Sequence, residues 1–500
     1  MSTLASWQRF SRLWSGRFIH STTIRFSSQR HPSIAPFTPG VPRQLSTEAT
    51  LEPWLVKPEE RLEELSRLGI TPYPRYKTPK IPIVDVQDII NDYQDVLENG
   101  TKDETKKVSI NGRIHSKRDS SSKLVWFDLI QDGHSIQAVF SRRNYAGSDQ
   151  EFELIAKNFH RGDIVHLTGQ VGKTKTGQLS VFITEAFELL SPCLHSIPTR
   201  SGLKDPEKRF RNRHLDFLVN SNGLEILKKR RDIIKFIRQY LDSRNFLEVE
   251  TPILSTQAGG ANAKPFATHA NALDMEMHMR VAPELYLKQL VIGGVDRVYE
   301  MGKQFRNEGV DADHNPEFTT CEFYQAYANL ETLFEMTEDM LQEMAKSVTG
   351  STKVSAALLK GNSGSPTFLW GHPIIMSPLA KDIKLESGRV VAGRFELFVA
   401  GREIVNAYEE LNDPIQQKDR FIKQQHDKDK GDEEAQPMDQ AFCNALEYGL
   451  PPTAGWGMGV DRVCQILTGS SHIRDVLAFP TMRTQHVGFP QVQGEPFRDP

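Results

Sequence analysis

The chain has 500 residues, 38% apolar and 25% charged, an ordinary globular composition with enough length for about three domains. Its 61 basic and 64 acidic residues leave a net charge of -3, which excludes a uniformly cationic coat, so any nucleic-acid contact must use local patches. The four cysteines, Cys193, Cys321, Cys443 and Cys464, lie far apart, which argues against a zinc ribbon or disulfide framework and for a reducing compartment, and no run approaches the roughly 18 apolar residues of a membrane span.

Residues 1–47 carry Arg9, Arg12, Arg17, Arg25, Arg30 and Arg43, are rich in Ser and Thr, and precede the first acid, Glu48. That is the composition of a mitochondrial transit peptide, with a basic tail touching RNA as the alternative. Residues 48–105 read as a helical and extended segment. PEERLEELSRL, from Pro58 to Leu68, predicts a short helix ended by Gly69, and Pro72, Pro74, Pro79 and Pro82 keep the following chain extended.

Residues 106–190 alternate apolar and polar positions in five short runs, Val108 to Ile114, Leu124 to Ile130, Ile136 to Phe140, Ile164 to Val171 and Leu179 to Ile183. Turn signals stand at Asp132-Gly133 and Thr176-Gly177, and Gln150 to Lys157 predicts a helix between the third and fourth runs. This is the order of an OB-fold β-barrel, whose open face often binds single-stranded nucleic acid. Arg118, Trp126, Phe127 and Gln137 would offer that face a cation, aromatic rings and an amide. Neighbours on a strand point to opposite sides, so only one of the two rings is functional and the other is core.

Residues 191–218, with PEKRFRNRHLDFL, predict a linker. From 219 to 485 a helix marked by Leu227, Ile234, Ile237 and Leu241 is followed by the strand-like FLEVETP at 246–252. The remainder lacks regular β-α-β alternation, which predicts an antiparallel α+β domain. Residues 486–500 form a tail.

Two stretches carry chemistry. FRNEGVDADHNPEFTTCEFY, Phe305 to Tyr324, joins two strand-like runs by a polar loop and brings together Arg306, Glu308, His314, Phe318 and Glu322. A cation for phosphate, an aromatic for a purine and acids for a cation or metal are thereby available. GWGMGVDR, Gly455 to Arg462, ends on an arginine after glycines that permit close backbone approach. No P-loop and no nucleophile motif is present, so phosphoryl-type chemistry by positioning and charge fits best.

FLEVETPIL at 246–254, FRNEGVDADHNPEFTTCEF at 305–323 and GLPPTAGWGMGVDR at 449–462 resemble motifs 1, 2 and 3 of class II aminoacyl-tRNA synthetases, in detail those of lysyl-tRNA synthetase. The resemblance runs from about residue 58 to 483 through GGANAKPF, RVAPELYLK, GREIVNAYEELNDP and HIRDVLAFP. It implies an α+β protein with an N-terminal OB-fold anticodon domain and a class II antiparallel-sheet catalytic domain. The implied activity is ATP-dependent formation of lysyl-adenylate and transfer of lysine to tRNA(Lys), by a homodimer assembled through motif 1. With the leader, it implies the mitochondrial form, working in the matrix.

By position, Arg306 would bridge the lysine carboxylate and the α-phosphate, Arg462 would hold the γ-phosphate, and Phe318 would stack on adenine, with Glu308 and His314 orienting the nucleotide. Glu396 and Glu403 match magnesium ligands, Glu403 standing next to ATP. Glu284, Glu322, Tyr324, Asn406, Tyr408 and Glu410 match the lysine pocket, and Gly260 would accept from the α-amine. Acids at 284, 322 and 410 favour lysine over the aspartate or asparagine of related enzymes. Arg118, Trp126 and Gln137 align with base-reading positions.

Two departures stand out. Ala454 replaces a usual glycine before motif 3, and between Gly350 and Pro366 the chain has only STKVSAALLKGNSGS where the family has several dozen more residues. Either an insertion was trimmed in this lineage or an exon is missing. A catalytically weakened tRNA-binding or regulatory relative is the alternative that this shortening raises.

Overall fold

The computed structural model describes residues 19–20, 58–198, 203–257, 259–350, 366–432 and 435–483. The expected leader, apart from Ile19–His20, the C-terminal tail from 486 and the shortened stretch 351–365 lie outside the described residues. The described residues from 58 to Leu224 form one compact unit and those from Glu225 onward belong to a second.

In the first unit, helices α1 (Pro58–Arg67) and α2 (Val86–Tyr93) precede a closed barrel of β1 (Lys102–Ser121), β2 (Leu124–Gln131), β3 (His134–Ser141), β4 (Ile164–Lys173) and β5 (Leu179–Ser191), with α3 (Asp149–Asn158) between β3 and β4. The order around the barrel is β1-β2-β3-β5-β4, and only β3–β5 is parallel. Asp132 (φ 45°) and Gly133 (φ 83°) make the β2–β3 turn in the left-handed region. Strand β1 is much longer than its apolar run, because one stretch pairs with β4 and the other, after bulges, with β2, which closes the barrel. Its charged ends carry no apolar alternation, so pairing rather than side-chain pattern defines them.

Burial alternates along β2: Val125, Phe127 and Leu129 point inward and Trp126 and Asp128 outward. Phe127 is fully buried and meets Phe187 edge to face at 5.1 Å, beside Phe140 and Phe152. The expected linker contains two short helices, α4 (Pro206–Arg211) and α5 (Arg213–Val219). Asp205 caps α4 by accepting from Lys208 N, Pro206 fits its first turn, and the buried Arg213–Asp216 pair at 2.5 Å fixes α5.

The second unit is built on an antiparallel-dominated sheet. Helix α6 (Ser221–Asp242) leads to β6 (Leu247–Glu248), then β7 (Leu254–Ser255), β8 (Ala267–Ala270) and β9 (Met275–Met279) form a small sheet of their own. Helix α7 (Glu284–Ile292), β10 (Arg297–Phe305), β11 (Glu317–Ala326), α8 (Leu330–Thr349) and β12 (Thr367–Trp370) follow. Strands β13 (Asp382–Lys384) and β14 (Val390–Ala392) pair separately, ahead of β15 (Arg394–Val399), β16 (Arg402–Glu409), α9 (Pro414–Asp429), α10 (Gln440–Leu446), β17 (Thr453–Gly459), α11 (Val460–Thr468) and α12 (Ile473–Val476). The main sheet runs β12-β15-β16-β17-β11-β10-β6, with Ile19–His20 paired beside β12.

One face of this sheet packs on α6, α8 and α11 through Ile233, Ile237, Leu333, Met340 and Cys464, which meet Phe323, Phe395, Val405 and Trp456. Phe323 stacks on Trp456 at 4.9 Å, and Trp456 Nε1 donates to Thr337 Oγ1 at 2.9 Å, so strand and helix are joined by a satisfied buried polar group. Ala454 is fully buried within β17. The opposite face carries polar and ionisable residues.

Candidate active site

Strand alternation sends Cys321 and Phe323 of β11 into the apolar core and Thr320, Glu322 and Tyr324 to the other face. On β15 and β16, paired positions share a side, so Glu396 and Asn406 lie together. A register shift between Leu397 and Phe398 then pairs Phe398 with Glu403. This bulge turns Glu403 to the side of Asn406, where plain alternation would have sent it to the helices. Thirteen of the residues singled out in the sequence, from Gly260 and Glu284 through Arg306 and Phe318 to Glu403 and Arg462, line one cavity of about 490 Å³.

One end of the cavity is acidic. Glu284, 3% exposed, starts α7 and its Oε2 accepts from Tyr408 Oη at 2.6 Å, while Oε1 lies 2.7 Å from Lys288 Nζ. Glu322 stands on β11 beside Tyr324, and burial, reinforced by Glu284 and opposed by Arg306, pushes its carboxyl up to about 8. Burial and the neighbouring acids raise Tyr324 and Tyr408, which therefore remain protonated donors. Glu410 departs from the expected arrangement: it lies behind the cavity wall, fully enclosed and ion-paired with Lys288. Any side chain at Gly455 would collide with Glu410 Oε1 and Tyr324, which accounts for glycine there. Gly260 has φ 89°, and a Cβ would come within 3.1 Å of that of Glu284.

Arg306 lies in the middle, immediately after β10, where its N–H donates to Pro316 O at 2.9 Å and closes the loop of motif 2. Its guanidinium is 5.1 Å from the Phe318 ring and its Nε has no hydrogen-bond partner. Burial lowers its pKa, an effect opposed by Glu308, Glu322 and Glu403.

The far end belongs to Arg462, in the first turn of α11. Its Nη1 donates to Glu403 O at 2.8 Å and its Nη2 lies 3.0 Å from His314 Nε2. Asp311 backs the histidine at 2.9 Å through Nδ1. The adjacent Asp461 is buried, accepts from Thr319 N at 2.9 Å and pairs with Arg230 at 2.5 Å, which locks motif 3 to β11 and α6.

Glu396 is held by Arg394 at 2.5 Å and lies 3.4 Å from His372. Burial and then repulsion from Glu396 raise the pKa of Glu403. Two half-buried carboxylates that repel each other suit a hard divalent cation. Among the described residues no cluster of three or more potential metal ligands occurs.

Sequence reasoning did not single out Lys288, Arg394 or Asp461. Arg394 had a signal, since Arg-x-Glu on a strand places both side chains on one face. Lys288 had one as well, the i,i+4 spacing from Glu284 on a helix, whereas its second partner, Glu410, is distant in the chain.

In the barrel unit, register puts Arg118 opposite Trp126 and Asp128 opposite Gln137 on the outer face. Arg118 Nη2 pairs with Asp128 at 3.2 Å, and Gln137 Oε1 accepts from Ser180 Oγ at 3.0 Å. Phe127 points into the barrel core and does not share that face.

The model of tRNA synthetases class II (D, K and N) matches residues 205–361 and 356–483, and that of the OB-fold nucleic acid binding domain matches residues 108–189. The lysine–tRNA ligase cla4 of Cladosporium cladosporioides is 40% identical, with 80% of each chain covered. A probable cytoplasmic lysine–tRNA ligase of Encephalitozoon cuniculi is 40% identical over 79% of this chain and 92% of its own, and the mitochondrial lysine–tRNA ligase of Schizosaccharomyces pombe is 40% identical over 85% and 93%. The chain thus belongs to the lysine–tRNA ligases, within the class II aminoacyl-tRNA synthetases. The alignment with the S. pombe protein extends over 505 positions but occupies 85% of this chain, so that relative has residues this chain lacks. The catalytic match itself divides at residues 356–361.

Proposed function

We propose that this enzyme activates L-lysine with ATP to lysyl-adenylate and then passes lysine to the terminal ribose of tRNA(Lys). The observation that carries the reading is Arg306, whose unpartnered Nε lies in the cavity between the acidic end and Arg462. A lysine carboxylate oxygen forms a bond to the α-phosphorus as the bond to pyrophosphate breaks. Arg306 stabilises the negative charge that builds there, in a site where chemistry depends on positioning and charge.

Glu284 and Glu322 receive the lysine side-chain ammonium, with Tyr324, Asn406 and Tyr408 shaping the pocket and Glu410 supporting it from behind. Gly260 O accepts from the α-amine. Phe318 stacks on adenine, Glu308 and His314 orient the nucleotide, and Arg462 takes the γ-phosphate. Glu396 and Glu403 would hold Mg²⁺, which when bound draws charge off the pyrophosphate.

Arg118, Trp126 and Gln137 read bases of the anticodon in the unit assigned to 106–190, while residues 219–485 carry the chemistry. Leu247, Ile253 and Leu254 of motif 1 are exposed apolar residues that suit a second copy of the chain. The basic, acid-free leader 1–47 and the similarity to a mitochondrial relative support a site of action in the matrix. No helix among the described residues is long and apolar enough to cross a membrane.

Lysine-dependent exchange of labelled pyrophosphate into ATP tests the activity; its absence at every lysine concentration, with tRNA still bound, would select a non-catalytic role. Import of a reporter fused to residues 1–47 tests the location, and retention in the cytosol would remove it.

A further inference from the structure

A buried cation stands behind the acidic end of the cavity. Lys288 lies one turn after Glu284 on α7 and is 0% exposed. Its ammonium is 2.7 Å from Glu284 Oε1 and in closer contact with Glu410 Oε2. The ring of Tyr408, on β16, is 5.9 Å away and that of Phe442, on α10, is 5.6 Å away. Across the pocket β11 supplies Glu322 and Tyr324. Two of the three acids, Glu284 and Glu410, therefore share one resident ammonium, and Glu322 is not paired with it.

Buried carboxylates remain ionised only when paired, and an unpaired one takes up a proton instead. Burial opposes the charge on Lys288, but Glu284 and Glu410 outweigh it and hold its pKa above the ordinary value. Lys288 and Tyr408 together also contact both oxygens of Glu284, which restrains the orientation of its carboxylate. We propose that Lys288 is the resident counter-ion of the amino-acid pocket, a positioning residue that holds Glu284 oriented to receive the ammonium of the substrate. The inference rests on the reading that lysine occupies this pocket. Substrate then supplies the second positive charge, and the pocket selects a cationic side chain because one acid, Glu322, still lacks a partner of opposite sign.

The test is pyrophosphate exchange by the full chain and by Lys288→Met, with lysine and ATP varied separately from pH 6.5 to 9. Lys288→Met should raise the lysine KM at least tenfold at pH 7 while the ATP KM stays within threefold. The lysine penalty should shrink toward pH 9 as Glu410, left without its partner, ionises. Lys288→Arg should restore most of the lysine affinity. If Lys288→Met does not fold, the double variant Lys288→Met/Glu410→Gln, which removes both charges of the pair, serves as the second probe and should keep a raised lysine KM through loss of the Glu284 anchor. An unchanged lysine KM in either folded variant, a parallel rise in ATP KM, or a penalty independent of pH would overturn the assignment. Exchange by the unaltered chain separates the two levels: its absence removes the lysine reading, and its presence with unaffected variants removes Lys288 alone.

Discussion

Arg462 and His314 meet across the cavity, guanidinium Nη2 to imidazole Nε2 at 3.0 Å, so motif 3 and the loop of motif 2 are held together before any nucleotide arrives. Asp311 accepts from Nδ1 of the same ring, which leaves Nε2 as the acceptor toward Arg462. His314→Ala should release Arg462 and cost a hydrogen bond to a charged group, about 1.5–3 kcal/mol. The expected result is an ATP KM raised at least about tenfold with lysine KM unchanged. Exchange kinetics with each substrate varied give the answer, and an equal rise in lysine KM would refute a nucleotide-specific role.

In the proposed reaction Arg306 would present a planar fork to the lysine carboxylate and the α-phosphate, a geometry that an ammonium cannot reproduce. Arg306→Lys should lower the adenylation rate by about 10²-fold or more, by analogy with loss of an oxyanion donor. Single-turnover exchange measures it, and a variant within threefold of the parent would move Arg306 away from the reacting centre.

With its carboxyl pushed up to about 8, Glu322 carries a proton at neutral pH in the free enzyme. In the proposed pocket the lysine ammonium would pair with the ionised form, so that binding would expel that proton. Lysine affinity should therefore rise with pH, by up to about tenfold per unit below 8, and level off above it. The same raised value means that Glu322 favours the folded state below its unfolded pKa and loses this contribution as pH climbs through about 8. Lysine KM measured from pH 6 to 9 should show the slope, and Glu322→Gln should flatten it at weaker affinity. A slope that persists in Glu322→Gln assigns the proton to another group.

Trp126 and Phe127 occupy opposite sides of β2, so their alanine variants should fail differently. Trp126→Ala removes a stacking platform worth about 1–3 kcal/mol per base, which should weaken tRNA lysylation by about 5- to 100-fold and spare pyrophosphate exchange. Phe127→Ala leaves a cavity in the barrel and should cost about 3–5 kcal/mol of stability. Thermal melts and lysylation assays on both variants distinguish these outcomes; the reverse pattern would place the reading surface on the wrong side of the strand.

The elements that sequence made visible are those with a local signature. Alternation marked the barrel strands, Asp132-Gly133 marked a turn, and the hairpin and glycine-rich strand of motifs 2 and 3 carried their residues in single stretches. Position along a strand did not reveal why Glu403 faces the site, because its side is set by a bulge in the pairing with β15. Nor could spacing place Glu410 behind the wall, since that depends on Lys288 from a different element. The charged ends of β1 were invisible for a related reason: backbone pairing with two partners holds them, and their side chains carry no pattern.

Helix α8 is finished at both ends by its own chemistry. Asn329 caps its start by accepting from Thr332 N, and Gly350, at φ 75°, turns the chain out of the helix while its N–H donates to Lys346 O. The helix is also tied to the sheet from its middle, through Thr337 and Trp456. The helix is thus capped and anchored by contacts that do not involve the stretch after Gly350. Because loop closure grows costlier only slowly with length, the chain directly after Gly350 is a seam at which evolution could add or delete whole segments while leaving intact a reaction chamber built from strands on both sides of it.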